Sequence, residues 1–178
     1  MRWLLLLILL AGCSQSYLVS DDLGYPYNLP PVGSQLLLKQ SVMIQPGTTR
    51  TFIQQGVSMA LSEFDRYVPN CNFEISNLAD SSLRIEPDTF VVKKVQRVME
   101  QVVYQQMTGR GNITVSYEDP GSSLITLGYH LWLDSARQPD VMRLTCRGAF
   151  NDRWGADPPS IREVREALGD FAELILAI

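Results

Sequence analysis

Apolar and polar side chains alternate through much of the chain beyond Leu36, and this period of two predicts strands. Leu36 to Ile44 reads as strand, with Val42 and Ile44 alternating against Ser41 and Met43. Pro46-Gly47 supplies turn chemistry, and Thr48 to Gln54 resumes the strand with Phe52 on one face and Ile53 on the other. Together they predict a hairpin. Cys71, Phe73 and Ile75 alternate with Asn72, Glu74 and Ser76, so Asn70 to Ser76 has one buried face and one wet face. Ile113, Val115 and Tyr117 alternate within Asn112 to Tyr117, and Asp119-Pro120-Gly121-Ser122 turns the chain into a second hairpin with Leu124 to Leu133. On that return strand Ile125, Leu127, Tyr129, Leu131 and Leu133 oppose Thr126, Gly128, His130, Trp132 and Asp134. Beyond the Gln138-Pro139-Asp140 turn, Val141 to Phe150 places Met142, Leu144 and Cys146 inward and Arg143, Thr145 and Arg147 outward.

Two segments resist this reading. Gln55 to Asn70 has Val57, Leu61 and Phe64 at near-helical spacing between Gly56 and Pro69, so a single helical turn or a loop would serve. Val91, Val95, Val98, Met99, Val102 and Val103 fit a helix face, yet so many β-branched residues favour a pleated strand. Phe90 to Val95 is taken as strand, and residues 96–106 stay open between strand and helix. Near the C-terminus, Ser160-Ile161-Arg162-Glu163 has the form of a capping box. Ile161, Val164, Leu168, Phe171 and Ile175 recur at helical intervals, predicting a helix over 160–176 whose apolar stripe covers a sheet face or a barrel end. The fold class expected is mainly β: a compact antiparallel sandwich or partly open barrel with a C-terminal helix, the alternative being α+β.

The first residues follow another rule. Arg2 precedes an uninterrupted apolar run from Trp3 to Leu10, which small residues close too early for a membrane span of about 20 residues. Leu10-Ala11-Gly12-Cys13 then matches, residue for residue, the cleavage box of bacterial lipoproteins, and in this position the chain resembles that family. The resemblance covers residues 1–13 alone. It implies that residues 1–12 are a signal peptide removed on export, and that Cys13 becomes the acylated first residue, anchored in a lipid bilayer. Ser14 in place of Asp after that Cys looks like sorting to the periplasmic face of the outer membrane, given a Gram-negative source. Residues 13–35 hold Asp21-Asp22, Gly24, Pro26, Pro30-Pro31 and Gly33 and read as the lipidated Cys with its tether. A flexible coil of that length would reach roughly 25 Å on average. Residues 36–178 then form a single β-rich periplasmic domain.

With Cys13 assigned to lipid, Cys71 and Cys146 remain as an even pair in an oxidising compartment, and a disulfide between them is expected. The net charge of −4 becomes one unit more negative when Arg2 is removed, which argues against nucleic acid as a partner. The single histidine, His130, is expected on the wetter face as a surface or edge residue, and no metal ligand set or cofactor motif is read. Glu86 with Asp88, and Glu118 with Asp119, flank turns where acids are ordinarily solvated, so no catalytic residue is assigned. Gly109-Arg110-Gly111 is too short for a phosphate loop and reads as a turn. The most suggestive cluster is Arg143, Arg147, Arg153 and Trp154, because guanidinium beside indole can grip a carboxylate, a sugar or a peptide chain. Alternate arginines also serve solubility and edge protection. The function expected is a membrane-anchored, non-enzymatic binding or scaffolding module of the cell envelope, with an envelope protein or peptidoglycan as partner. A small carrier barrel for hydrophobic ligands and an envelope hydrolase are the alternatives.

Overall fold

A computed structural model describes residues 29–78, 80–101, 106–107, 113–114 and 124–178. Within them the chain forms twelve strands and one helix. These are β1 (Gln35–Leu38), β2 (Val42–Ile44), β3 (Arg50–Gln54), β4 (Val57–Met59), β5 (Asn70–Ile75), β6 (Leu83–Ile85), β7 (Asp88–Gln101), β8 (Gln106–Met107), β9 (Ile113–Thr114), β10 (Ile125–Asp134), β11 (Val141–Arg147), α1 (Ile161–Leu168) and β12 (Ala172–Ile175). Eight strands make one antiparallel sheet in the order β12-β1-β7-β10-β11-β5-β3-β4, curled into a half-barrel. The mainly β class with a C-terminal helix is therefore the fold.

Side-chain alternation gives the sheet an apolar face and a polar face. Leu36, Phe90, Val92, Leu131, Tyr129, Leu144, Phe73, Ile53 and the two cysteines lie on the apolar one, all buried in a single cluster. The β2–β6 pair contributes Val42, Ile44 and Ile85 to this cluster, and α1 contributes Ile161, Val164, Ala167 and Leu168. Cys71 and Cys146 are direct partners in the β5–β11 register and are joined by a disulfide, with Cα atoms 4.1 Å apart.

Two bulges shift the alternation. Val92 pairs with Leu133 and Lys94 with Trp132, so Lys93 is an extra residue in β7. The insertion keeps Val95 against the core while turning Lys94 and Gln96 to the polar side, and the open stretch is thus strand as far as Gln101. In β11 the extra residue is Met142. Val141, not Met142, is the buried inward residue, which corrects the expected placement.

Three further expectations are corrected. The helix ends at Leu168 and does not run over 160–176. Gly169 takes φ +52 and its N–H caps Arg165, and a Cβ there would lie 2.5 Å from the Cα of Gly56. Ala172–Ile175 then alternates and pairs with β1, bringing Leu174 opposite Leu36. β2 and β3 are not a hairpin, because Gln45–Thr49 lets β2 leave the sheet and pair with β6 while β3 pairs with β4 and β5. Residues 55–70, expected as a helical turn or a loop, hold the short strand β4 followed by turns. Finally, residues 29–35 belong to the folded body and not to a tether: Gly33 N–H donates to Val92 O at 2.8 Å, Ser34 is buried, and Leu29 packs on the core.

Candidate binding face

The polar side of the sheet is built from rungs that cross neighbouring strands. One rung runs Lys94, Trp132, Arg143, Glu74 and Arg50 across β7, β10, β11, β5 and β3. The next runs Gln96, His130, Thr145, Asn72 and Phe52, and a third runs Val98, Gly128, Arg147 and Asn70. The face expected to be wet is largely buried at its centre, where Asn72 and Thr145 are inaccessible and Glu74, Arg147 and His130 nearly so. Part of the cover is the 60–69 loop, whose Phe64 stacks on Phe52 at 4.6 Å between ring centroids. Gln54 fastens that loop, donating to Asp65 O and Val68 O and accepting from Asp65 N–H.

Buried charges require partners, and here they have them. Glu74 receives Arg50 Nη2 on one carboxylate oxygen at 2.8 Å and Arg143 Nε on the other. Burial alone would raise its pKa, but the Arg143 hydrogen bond and the two guanidinium charges outweigh that and hold it below the usual carboxylate value. Arg147 donates to Asn72 Oδ1 at 2.5 Å and to Glu100. Gly128 makes room for it, since a Cβ at that position would lie 2.3 Å from Cys146 O and 3.0 Å from Arg147 Cα. Asn72 Nδ2 and Arg147 Nε are buried donors without a protein acceptor among the described residues.

His130 is 8% exposed in mid-sheet, which corrects the surface or edge position expected for it. Its Nδ1 is paired with Thr145 Oγ1 at 2.7 Å. Burial, then the charges of Arg143 and Arg147, push its pKa down, with Glu74 and Glu100 opposing. The upper rung is more open. Lys94 is exposed, Trp132 and Arg143 are half-buried, and the indole stands between both cations, with Lys94 Nζ 5.6 Å and Arg143 Cζ 5.1 Å from its ring centroid.

Of the residues singled out in the sequence, Arg143 and Arg147 therefore share this face, but as buried or half-buried network members and not as free outward arginines. The alternation places them correctly; the buried acids and amides that hold them inside could not be inferred from their own strand. Arg153 and Trp154 sit on a separate exposed turn, where Asp152 Oδ1 accepts from the N–H groups of Trp154 and Gly155 and the indole is 91% exposed. The sequence did not point to Glu74, Asn72, Glu100, Lys94 or Arg50 as part of a site. Each is polar on an alternating strand, but the strand order that brings them together is not written locally.

Asp88 is a structural tie between β7 and the 135–138 turn, taking hydrogen bonds from Ser135 Oγ at 2.6 Å, Gln138 Nε2 and Thr89 N–H. Burial would raise its pKa, yet those bonds and Arg137 hold it low. Glu86 is exposed beside Arg84. Cys13, Gly109-Arg110-Gly111, Glu118, Asp119 and the 119–122 turn lie outside the described residues. A cleft of about 160 Å³ opens at the other end of β11, lined by Pro69, Gly148, Ala149, Asn151, Gly155, Asp157, Pro158 and Glu163. Among the described residues no helix is long and apolar enough to cross a membrane, and no cluster of three His, Cys, Asp or Glu side chains is arranged to hold a metal ion. Compared with known proteins, the chain matches no family model, no curated sequence and no solved structure.

Proposed function

We propose that this protein is a lipid-anchored, non-enzymatic binding module of the bacterial envelope, held at the periplasmic face of the outer membrane through acylated Cys13, and that its recognition surface is the polar side of the sheet. The observation that carries this reading is the half-open rung from Lys94 to Arg50, where two arginines share one carboxylate, Glu74, and a third cation, Lys94, stands against the Trp132 indole. In a chain of net charge −4 this is a local excess of positive charge, positioned to attract a partner rather than to solubilise the domain. The hydroxyl–imidazole pair of Thr145 and His130 lies beneath that surface, where Thr145 is inaccessible to a substrate, and this favours binding over hydrolysis.

A photo-crosslinking residue in place of exposed Gln96, expressed in intact cells, should capture an envelope protein or peptidoglycan fragment, whereas the same residue in place of Arg162 on the helix should not. Capture of nothing at Gln96, or of the same species from both positions, overturns the surface assignment. Cys13→Ser should move the protein from the membrane fraction to the soluble one; unchanged fractionation overturns the anchor.

A further inference from the structure

We infer that the rung of Lys94, Trp132 and Arg143 recognises an acidic protein segment in extended conformation, through two of its carboxylates; this rests on the binding reading above and gives it a ligand chemistry. Arg143 spends its Nε on Glu74, and its two Nη groups have no hydrogen-bond partner among the described residues. Lys94 Nζ likewise makes no ion pair there and is held only against the Trp132 ring. Lys94 is therefore an unneutralised cation and Arg143 keeps two Nη groups for a further acceptor, on a surface that is open to solvent at Lys94 and half-open at Trp132 and Arg143.

Their separation selects the ligand. Lys94 and Arg143 stand on strands either side of β10, so their backbones are roughly 10 Å apart, twice the spacing of hydrogen-bonded strands. The indole of Trp132 is a contact for both, 5.6 Å from Lys94 Nζ and 5.1 Å from Arg143 Cζ at its centroid. Strands that far apart suit a ligand with one carboxylate for each cation. Two acidic side chains two residues apart on an extended segment project from the same side, with Cα atoms about 7 Å apart, and the reach of Glu side chains closes the difference. The same rung already shows the chemistry in miniature, with Glu74 taking one guanidinium on each oxygen from flanking strands.

The test uses the full chain in detergent micelles, titrated with the capped peptide Gly-Glu-Gly-Glu-Gly, with its Gln-for-Glu twin and with inorganic phosphate, following the Trp132 indole N–H signal by NMR. The Glu peptide should shift that signal saturably, the Gln twin should not, and phosphate should not displace the Glu peptide. Lys94→Gln, which removes no ion pair and should leave the circular dichroism spectrum unchanged, should weaken binding about tenfold; Arg143→Lys should also weaken it. Equal binding of both peptides, displacement by phosphate, or no shift overturns the inference. If the Glu peptide fails while the Gln96 crosslink persists, the ligand class falls and the binding surface stands; if both fail, both fall.

Discussion

His130 shows how one side chain senses the composition of its rung. Its imidazole is buried between the rungs of Arg143 and Arg147, so the neutral form is favoured and the folded-state pKa lies below the ordinary 6.5. An unfolded chain then binds a proton that the folded chain refuses, and stability must fall as pH drops through and below 6.5. Glu74 and Asp88 act in the same direction at lower pH. Their folded pKa values lie below the ordinary 4.5 and 3.8, so the stability they contribute is complete above those values and is lost as pH falls through the depressed ones. Thermal melts from pH 8 to 3 should therefore show two stages of loss, and His130→Gln should flatten the upper stage only. A profile flat between pH 7.5 and 5.5 in the unmodified protein would contradict the buried neutral imidazole. None of this could be read from His130 alone, because alternation gave the correct face but no indication that the face is covered.

Among the elements, β7 and α1 explain where the pattern misleads. The valine-rich stretch looked helical as well as pleated because the bulge at Lys93 breaks the period of two halfway along a fourteen-residue strand. Neither parity fits the whole run, and a helical period absorbs the mismatch. At the C-terminus the apolar spacing continues past the true helix end, since Phe171 packs on the core and Ile175 lies on β12, at positions a longer helix would also have used. What stops α1 is tertiary: Gly169 is pressed against the β3–β4 turn, with Gly56 N–H donating to Ala167 O at 3.0 Å. Gly169→Ala should accordingly combine backbone strain with a backbone clash and lower stability by roughly 2–4 kcal/mol, seen as a lower urea midpoint at unchanged slope. A midpoint within error of the parent would show that the turn and helix end are free to separate. The capping box, by contrast, was fully legible. Ser160 Oγ accepts from Glu163 N–H while Glu163 Oε2 accepts from Ser160 N–H, because both halves of that motif lie within four residues.

At the scale of the molecule, the mainly β fold followed from alternation, whereas the strand order did not, and the candidate surface exists only in that order. Residues from β3, β5, β7, β10 and β11 share one rung although Arg50 and Arg143 are far apart in sequence. The disulfide was accessible to cysteine parity together with inward-facing alternation on two strands. It closes a loop of sequence separation 75, worth about 4 kcal/mol in the chain-entropy model. Reduction, or Cys71→Ala with Cys146→Ala, should lower the denaturation midpoint by a corresponding amount, and a loss under about 1 kcal/mol would place the main restraint elsewhere. The bridge has another consequence, set by its position. Cys71 is flanked by Asn70 and Asn72, and Cys146 by Thr145 and Arg147, so the sulfurs on one side of the sheet pin the alignment of the amide, hydroxyl and guanidinium groups on the other. With the sulfurs reduced, that alignment would rest on the β5–β11 ladder and its side-chain bonds alone. If the polar side is the proposed recognition surface, its alignment is completed only once the bridge has formed.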